Sequence, residues 1–355
     1  MNHEPVVRIA ILWSHLSGYL NACLRQCARR DIQLFASWLR PADSAPFNNT
    51  PFEWLRTSNS REWVNSKSID AADLIAALEV FQPQMILISG WNHSGYRTIA
   101  KHFAGRTTRI LCMDNPWEER PKQWLGRLVA PWYVQPLFDG ALVAGERQFQ
   151  FARRLGFRDR QILVGVYAPD AEAFHCPSTS SNSSRSGFLY VGRLVQEKGI
   201  SVLAEGYLKY RSETSTPWPL TVAGCGPLEH LLNGIAGVTI KGFVQPIDLP
   251  SLMHANACLV VPSLQEPWGM QISEGTTAGM AIVATTACGA TPHLVRHGHN
   301  GFVIPPADSD ALAVAMHRIA EIQSSCVMSI ASEQLARQFT PNLWVDNLLA
   351  WNAQL

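Results

Sequence analysis

The chain has little charge. Lys, Arg, Asp and Glu make up 16% of its 355 residues, and the formal net charge is +1. That balance excludes a polyelectrolyte tail or a globally basic surface, so a nucleic-acid partner is not expected. Long apolar runs are missing too: no stretch reaches membrane-spanning length without a polar residue. The opening run Val6 to Trp13 is too short to span and lacks a signal-peptide cleavage pattern, so it reads as a first strand of a cytoplasmic protein. No Cys-x-x-Cys occurs. Cys23, Cys27, Cys112, Cys176, Cys225, Cys258, Cys288 and Cys326 are scattered, mostly in apolar runs, which suits reduced buried thiols better than disulfides or a zinc site. Metal-ligand constellations are absent as well. Asp308-Ser-Asp310 stands at the start of a helical pattern, where an N-cap with favourable dipole placement explains it.

What is present is apolar: 47% of the residues are hydrophobic, over a length that suits two domains. Short continuous apolar runs alternate with helical patterns. In the first half these runs are Val6–Leu12, Ile32–Trp38, Met85–Ser89, Arg109–Met113, Gly140–Val143 and Gln161–Val166. Continuous rather than alternating runs indicate strands buried on both faces, hence a parallel sheet covered by helices. Residues 177–187 are Ser-rich and aperiodic and read as a linker. A second series follows: Phe188–Val191, Leu220–Ala223, Val238–Lys241, Cys258–Pro262, Ala281–Thr285 and Gly301–Ile304. The expected domains are therefore 1–176 and 188–340, both doubly wound α/β and facing a cleft. The amphipathic helix 341–355, with Trp344 and Trp351, could pack back on the first.

Three segments of the second half suit a nucleoside diphosphate. The run Phe188 to Ile200 ends a strand in Gly192-Arg193 and adds Lys198, so a glycine permits close backbone approach and two cations face the phosphates. Val222-Ala-Gly-Cys-Gly-Pro-Leu228 reads as a tight strand-to-helix turn with Pro227 at the helix start. In Ser263 to Gly275, Glu266 follows a strand and seven residues separate it from Glu274. The helix start at Gly269, Met270 and Gln271 offers free N–H groups to an anion. Glu274 suits the vicinal hydroxyls of a ribose, and Glu266 the donor sugar.

These motifs, with CGATPHLV and HGHNGFVIPPAD further on, resemble the donor domain of the retaining GT-B glycosyltransferases of family four (group 1), from Phe188 to Asp308. The resemblance implies that Arg193 and Lys198 bind the diphosphate, with backbone N–H groups of Gly269, Met270 and Gln271. It assigns Glu274 to ribose, Glu266 to the donor sugar, and Phe243 and Val244 to the base. It implies a retaining transfer from a nucleotide-diphosphate sugar to a sugar or lipid-linked acceptor, without a cofactor or required metal, in polysaccharide, lipopolysaccharide or glycoconjugate synthesis. Gly275, Ala281 and Cys288 depart from the family's usual residues without removing a phosphate or ribose ligand.

The first half resembles the family less. Gly18 is the best match to its glycine-rich turn. Asp114 stands where a histidine is common, and His93 and His15 are further candidates at strand ends. The stretch Trp117–Tyr133 mixes basic and aromatic residues and is open to two readings: a peripheral contact at the inner face of a membrane, or a helix packing its tryptophans into the first domain. Two other functions remain open: a nucleotide-sugar epimerase of similar fold, and a nucleotide-sugar-binding protein without turnover. The base, the sugar and the acceptor are not legible.

Overall fold

A computed structural model describes residues 6–40, 50–89, 91–175, 185–322 and 325–355. It divides into two compact units, Met1–Ala168 with Pro341–Leu355, and Pro169–Thr340.

The first unit contains β1 (Arg8–Trp13), α1 (Gly18–Arg29), β2 (Gln33–Leu39), β3 (Ser60–Trp63), α2 (Ala71–Phe81), β4 (Met85–Ser89), α3 (Ser94–His102), β5 (Thr108–Met113), α4 (Pro121–Tyr133), β6 (Gly140–Val143), α5 (Glu146–Arg154) and β7 (Ile162–Val164). The strands form one parallel sheet in the order β3-β2-β1-β4-β5-β6-β7. Ile9, Ile11, Ile86, Leu87 and Leu111 are buried, as expected for strands covered on both faces. The edge strand β3 was not expected. Its sequence, Ser-Arg-Glu-Trp, is half exposed and polar, so it lacks the apolar run that marks the others.

The second unit contains α6 (Ala171–Phe174), β8 (Phe188–Val191), α7 (Ile200–Ser212), β9 (Leu220–Ala223), β10 (Val238–Gly242), α8 (Leu249–His254), β11 (Cys258–Val261), α9 (Met270–Thr277), β12 (Ala281–Thr285), α10 (Thr291–Leu294), β13 (Gly301–Ile304), α11 (Ser309–Glu321) and α12 (Ser325–Ala336). Its six strands are parallel in the order β10-β9-β8-β11-β12-β13. One expected helix is missing. After Pro227 the chain makes only a 3-10 turn, Glu229–Leu231, before β10.

The units divide between Ala168 and Pro169, earlier than the expected domain end at residue 176. The short helix α6 belongs to the second unit because Phe174 is buried there and its carbonyl accepts from His254 Nε2 at 2.8 Å. Residues 177–184 of the expected linker lie outside the described residues, whereas Arg185 donates to the carbonyls of Ala278 and Gly279. The last helix, α13 (Pro341–Asn352), lies in the first unit. Its Trp351 Nε1 donates to the Arg160 carbonyl at 2.9 Å, and its Trp344 is buried.

In each sheet the chain winds outward in one direction, returns to the middle and winds out in the other. The switch points lie between β1 and β4 and between β8 and β11. Loops leaving the C-terminal ends of such strand pairs form the ligand crevice of doubly wound folds.

Gly199 fixes one of those loops. Its φ is +69°, and a Cβ there would stand 2.1 Å from the Pro262 carbonyl oxygen. Gly199→Ala is therefore expected to cost about 3 kcal/mol, from the strained φ and the clash together. A urea titration followed by tryptophan fluorescence checks it; an unchanged midpoint contradicts the assignment.

Candidate active site

In the second unit the loops after β8 and β11 are drawn together by backbone contacts. Gly192, at the end of β8, has φ +154°, and a Cβ on Gly224 would stand 1.8 Å from the Gly192 carbonyl oxygen. The turn after β9 thus packs directly on the β8 loop, which is the role its glycines play. The Tyr190 hydroxyl donates to the Arg193 carbonyl at 2.8 Å. The Glu197 carbonyl accepts from the N–H groups of Leu264 and Gln265, at 2.9 and 3.1 Å, tying the first loop to the second. Cys225 sits exposed in the β9 turn, unlike the buried thiols expected, whereas Cys23, Cys27, Cys112, Cys258 and Cys288 are buried.

This scaffold sets Lys198 against Glu266. The ammonium is ion-paired with Glu266 Oε2, and the two side chains are only 15% and 9% exposed. Gln271 Nε2 donates to the same carboxylate oxygen at 3.2 Å. Gly269 caps α9 with φ +98°, a backbone state that favours glycine. The first N–H groups of any helix have no intrahelical acceptor, so those of Met270 and Gln271 are available to an anion. A cation, a carboxylate, an amide and a helix N-terminus therefore meet at the switch point of the second sheet. That set can hold a polyanion beside a group on which positive charge develops.

The other expected ligands are placed differently. Arg193 is largely solvent-exposed and pairs with Glu197 at 3.0 Å. Phe243 and Val244 follow β10 and are partly exposed. Glu274 lies further along α9, and its carboxylate makes no hydrogen bond or ion pair among the described residues. Burial pushes its carboxyl up to about 8 from an ordinary 4.5. Asp308 accepts from the Ala311 N–H at 2.8 Å as the N-cap of α11, and Asp310 pairs with Lys209 at 2.6 Å. Glu197, Tyr190 and the side chain of Gln271 escaped the sequence reading. The spacing of Glu197 from Arg193, four residues on, could have suggested the pair.

In the first unit the candidates lie beyond the C-terminal ends of strands, His93 at the switch point and Asp114 after β5. His93 Nε2 lies 3.2 Å from Ser14 Oγ, joining the ends of β4 and β1. Burial first, then the nearby His15 and Arg97, lower the His93 pKa below its ordinary value, which favours the neutral imidazole. Asp114, after β5, is pushed up by burial. The Tyr167 hydroxyl donates to it at 3.4 Å, and its carbonyl accepts from Gln148. Tyr167 was not anticipated, because it lies on the loop after β7 and carries no motif. Gly18 opens α1 and would meet nothing with a Cβ, so packing does not require a glycine there.

Residues 185–321 match the family model described as glycosyl transferases group 1. That match lies within the second unit. Alpha-D-kanosaminyltransferase of Streptomyces kanamyceticus is 30% identical over 138 residues, 37% of this chain and 35% of that protein. O-antigen chain mannosyltransferase B of Escherichia coli is 29% identical over 163 residues, covering 43% of this chain and 42% of the relative. The chain thus spans less than half the length of these curated relatives. The crystal structure of Anabaena HepE in complex with UDP superposes with a TM-score of 0.75 and 19% identity, over 97% of this chain and 100% of that one. The fold is GT-B, two parallel-sheet Rossmann-like domains. The first unit lies outside the family match.

The raised Glu274 carboxyl gives the domain a pH signature. In the unfolded chain this group ionises near 4.5, and in the folded domain near 8. Its contribution to stability is intact below pH 4.5 and is lost as pH rises toward 8. Glu274→Gln removes that loss. The variant is expected to gain on the wild type by up to about 1.4 kcal/mol per pH unit across this window. Thermal melts of both proteins at pH 5, 6 and 7 measure the gap, and a constant difference contradicts the assignment.

Proposed function

We propose that this chain is a retaining glycosyltransferase, moving a sugar from a nucleoside-diphosphate sugar held by the second unit to a sugar or lipid-linked acceptor hydroxyl. The observation that carries the reading is the Lys198–Glu266 pair, with Gln271 and the α9 N-terminus around it. On this reading the diphosphate takes the N–H groups of Met270 and Gln271 together with Lys198 and Arg193, and these groups stabilise the charge that grows as it leaves. Glu266 lies beside the donor sugar, where its negative charge favours the cationic character of the anomeric carbon. A phosphate oxygen accepts the acceptor's proton, and departure and attack share one face, which retains configuration. Glu274 receives the ribose hydroxyls, and Phe243 and Val244 lie along the base.

In the first unit, His93 and Asp114 are the groups proposed to position the acceptor, with Ser14 and Tyr167 as their partners. Assembly of a cell-surface polysaccharide is the proposed setting; the likeness to an O-antigen chain mannosyltransferase supports it.

The test is incubation with a panel of nucleoside-diphosphate sugars without acceptor. Slow release of sugar with its configuration retained is the expected result, and it should persist in EDTA because Arg193, Lys198 and the helix end supply the positive charge. Conversion to an epimeric sugar, or binding without turnover, contradicts the proposal. Arg193→Ala should weaken nucleoside-diphosphate binding by about 1.5 kcal/mol, the low end for a charged hydrogen bond because Arg193 is solvated. Calorimetry reads it, and unchanged affinity removes Arg193 from the site.

A further inference from the structure

The helix α4 is amphipathic in the reverse sense. Its inward side carries Ala130, which is buried, and Gln123, Gly126 and Val129, which are half-buried. Its outward face holds Leu125, Leu128 and Trp132, which are 61%, 68% and 77% exposed, with Trp124 and Tyr133 beside them. The spacing of Pro121, Leu125, Leu128 and Trp132 places these residues on one stripe. A soluble helix ordinarily turns such a stripe inward. Here the orientation is clamped. Gln123 accepts from the Glu118 N–H and donates to the Pro116 carbonyl, both at 2.8 Å, and Trp117 packs on the core of the first unit.

The charges around the stripe have one dominant sign. The helix contains Lys122 and Arg127 and no acidic residue. Arg127 lies 5.4 Å from the Trp124 ring centroid, and Arg97 lies 5.2 Å from that of Tyr133. Glu118 and Glu119 precede the helix, and Glu118 is paired with Arg120 at 2.8 Å. A 13-residue crest is roughly 20 Å long and about 10 Å across. That is well short of the area of about 800 Å² that each partner of a stable dimer buries. Aromatic and leucine side chains on a convex crest, flanked by long cationic stems, match the boundary between lipid headgroups and acyl chains.

We propose that α4 is a membrane-docking element that lays Leu125, Leu128 and Trp132 into the surface of an anionic bilayer, with Lys122 and Arg127 at the lipid phosphates. The docking is independent of the donor chemistry and needs no nucleotide sugar, so it stands or falls separately from the proposed transfer.

Co-sedimentation of the full chain with phosphatidylcholine vesicles, with and without phosphatidylglycerol, tests it. The wild type should bind the anionic vesicles preferentially, and high salt should weaken that preference. Leu128→Ser with Trp132→Ser should reduce binding by at least about tenfold. Lys122→Gln with Arg127→Gln should abolish the preference for phosphatidylglycerol. Both side chains of the first pair are exposed, so circular dichroism and sugar release without vesicles should match the wild type. A wild type that stays in the supernatant overturns the proposal, as does a Leu128→Ser/Trp132→Ser variant that binds equally well. Light scattering that shows a dimer dissolved by the same substitutions assigns the face to a second copy and overturns it too.

Discussion

The proposed chemistry rests on one ion pair between residues far apart in sequence, Lys198 and Glu266. Both side chains are largely withdrawn from water. An isolated charge in such a place is costly, and removing one partner of a buried pair leaves the other uncompensated. The pair therefore depends on loops held in register. Gly199 meets the Pro262 carbonyl, and the Glu197 carbonyl accepts from Leu264 and Gln265. In turn the β11 loop is supported from β12, where Gly289 N–H donates to the Glu266 carbonyl at 3.1 Å. The parallel order β8-β11-β12 makes those loops neighbours, so the sheet topology and the site are one arrangement.

The same pair explains how a site that contains a buried carboxylate could accept a diphosphate. With no donor present, the Lys198 ammonium is matched by Glu266, and Gln271 adds a hydrogen bond to the carboxylate. In the proposed reaction the arriving phosphates share that ammonium, and Glu266 turns part of its charge toward the sugar. Both partners are then compensated before and after binding, so the loops need not rebuild around the donor.

Much of this was legible in the sequence, and the exceptions have physical reasons. Phe188–Val191 and Ala281–Thr285 read directly as strands because both faces are covered. The edge strand Ser60–Trp63 did not, since its half-exposed residues form no continuous apolar run. Gly192, Lys198, Glu266 and Gly269 stood out by spacing, but that Lys198 touches Glu266 is set by strand order, which no local pattern carries. The 3-10 turn after Pro227 was mistaken for a helix start because the glycines there serve loop packing. In the first unit Tyr167 was invisible, being a loop residue whose partner Asp114 lies on another strand end. For α4 the composition showed an amphipathic helix, whereas only the fold shows which face turns outward.

Nucleoside-diphosphate affinity and donor turnover, measured together on Glu266→Gln and Lys198→Ala, test the pair most directly. Glu266→Gln keeps size and hydrogen bonding while freeing the Lys198 ammonium, so the diphosphate should bind at least as tightly while kcat falls. Lys198→Ala should weaken the diphosphate by about 1.5–3 kcal/mol. If Glu266→Gln instead weakens the diphosphate as much as Lys198→Ala does and leaves kcat unchanged, the carboxylate has no role beside the sugar and the account fails.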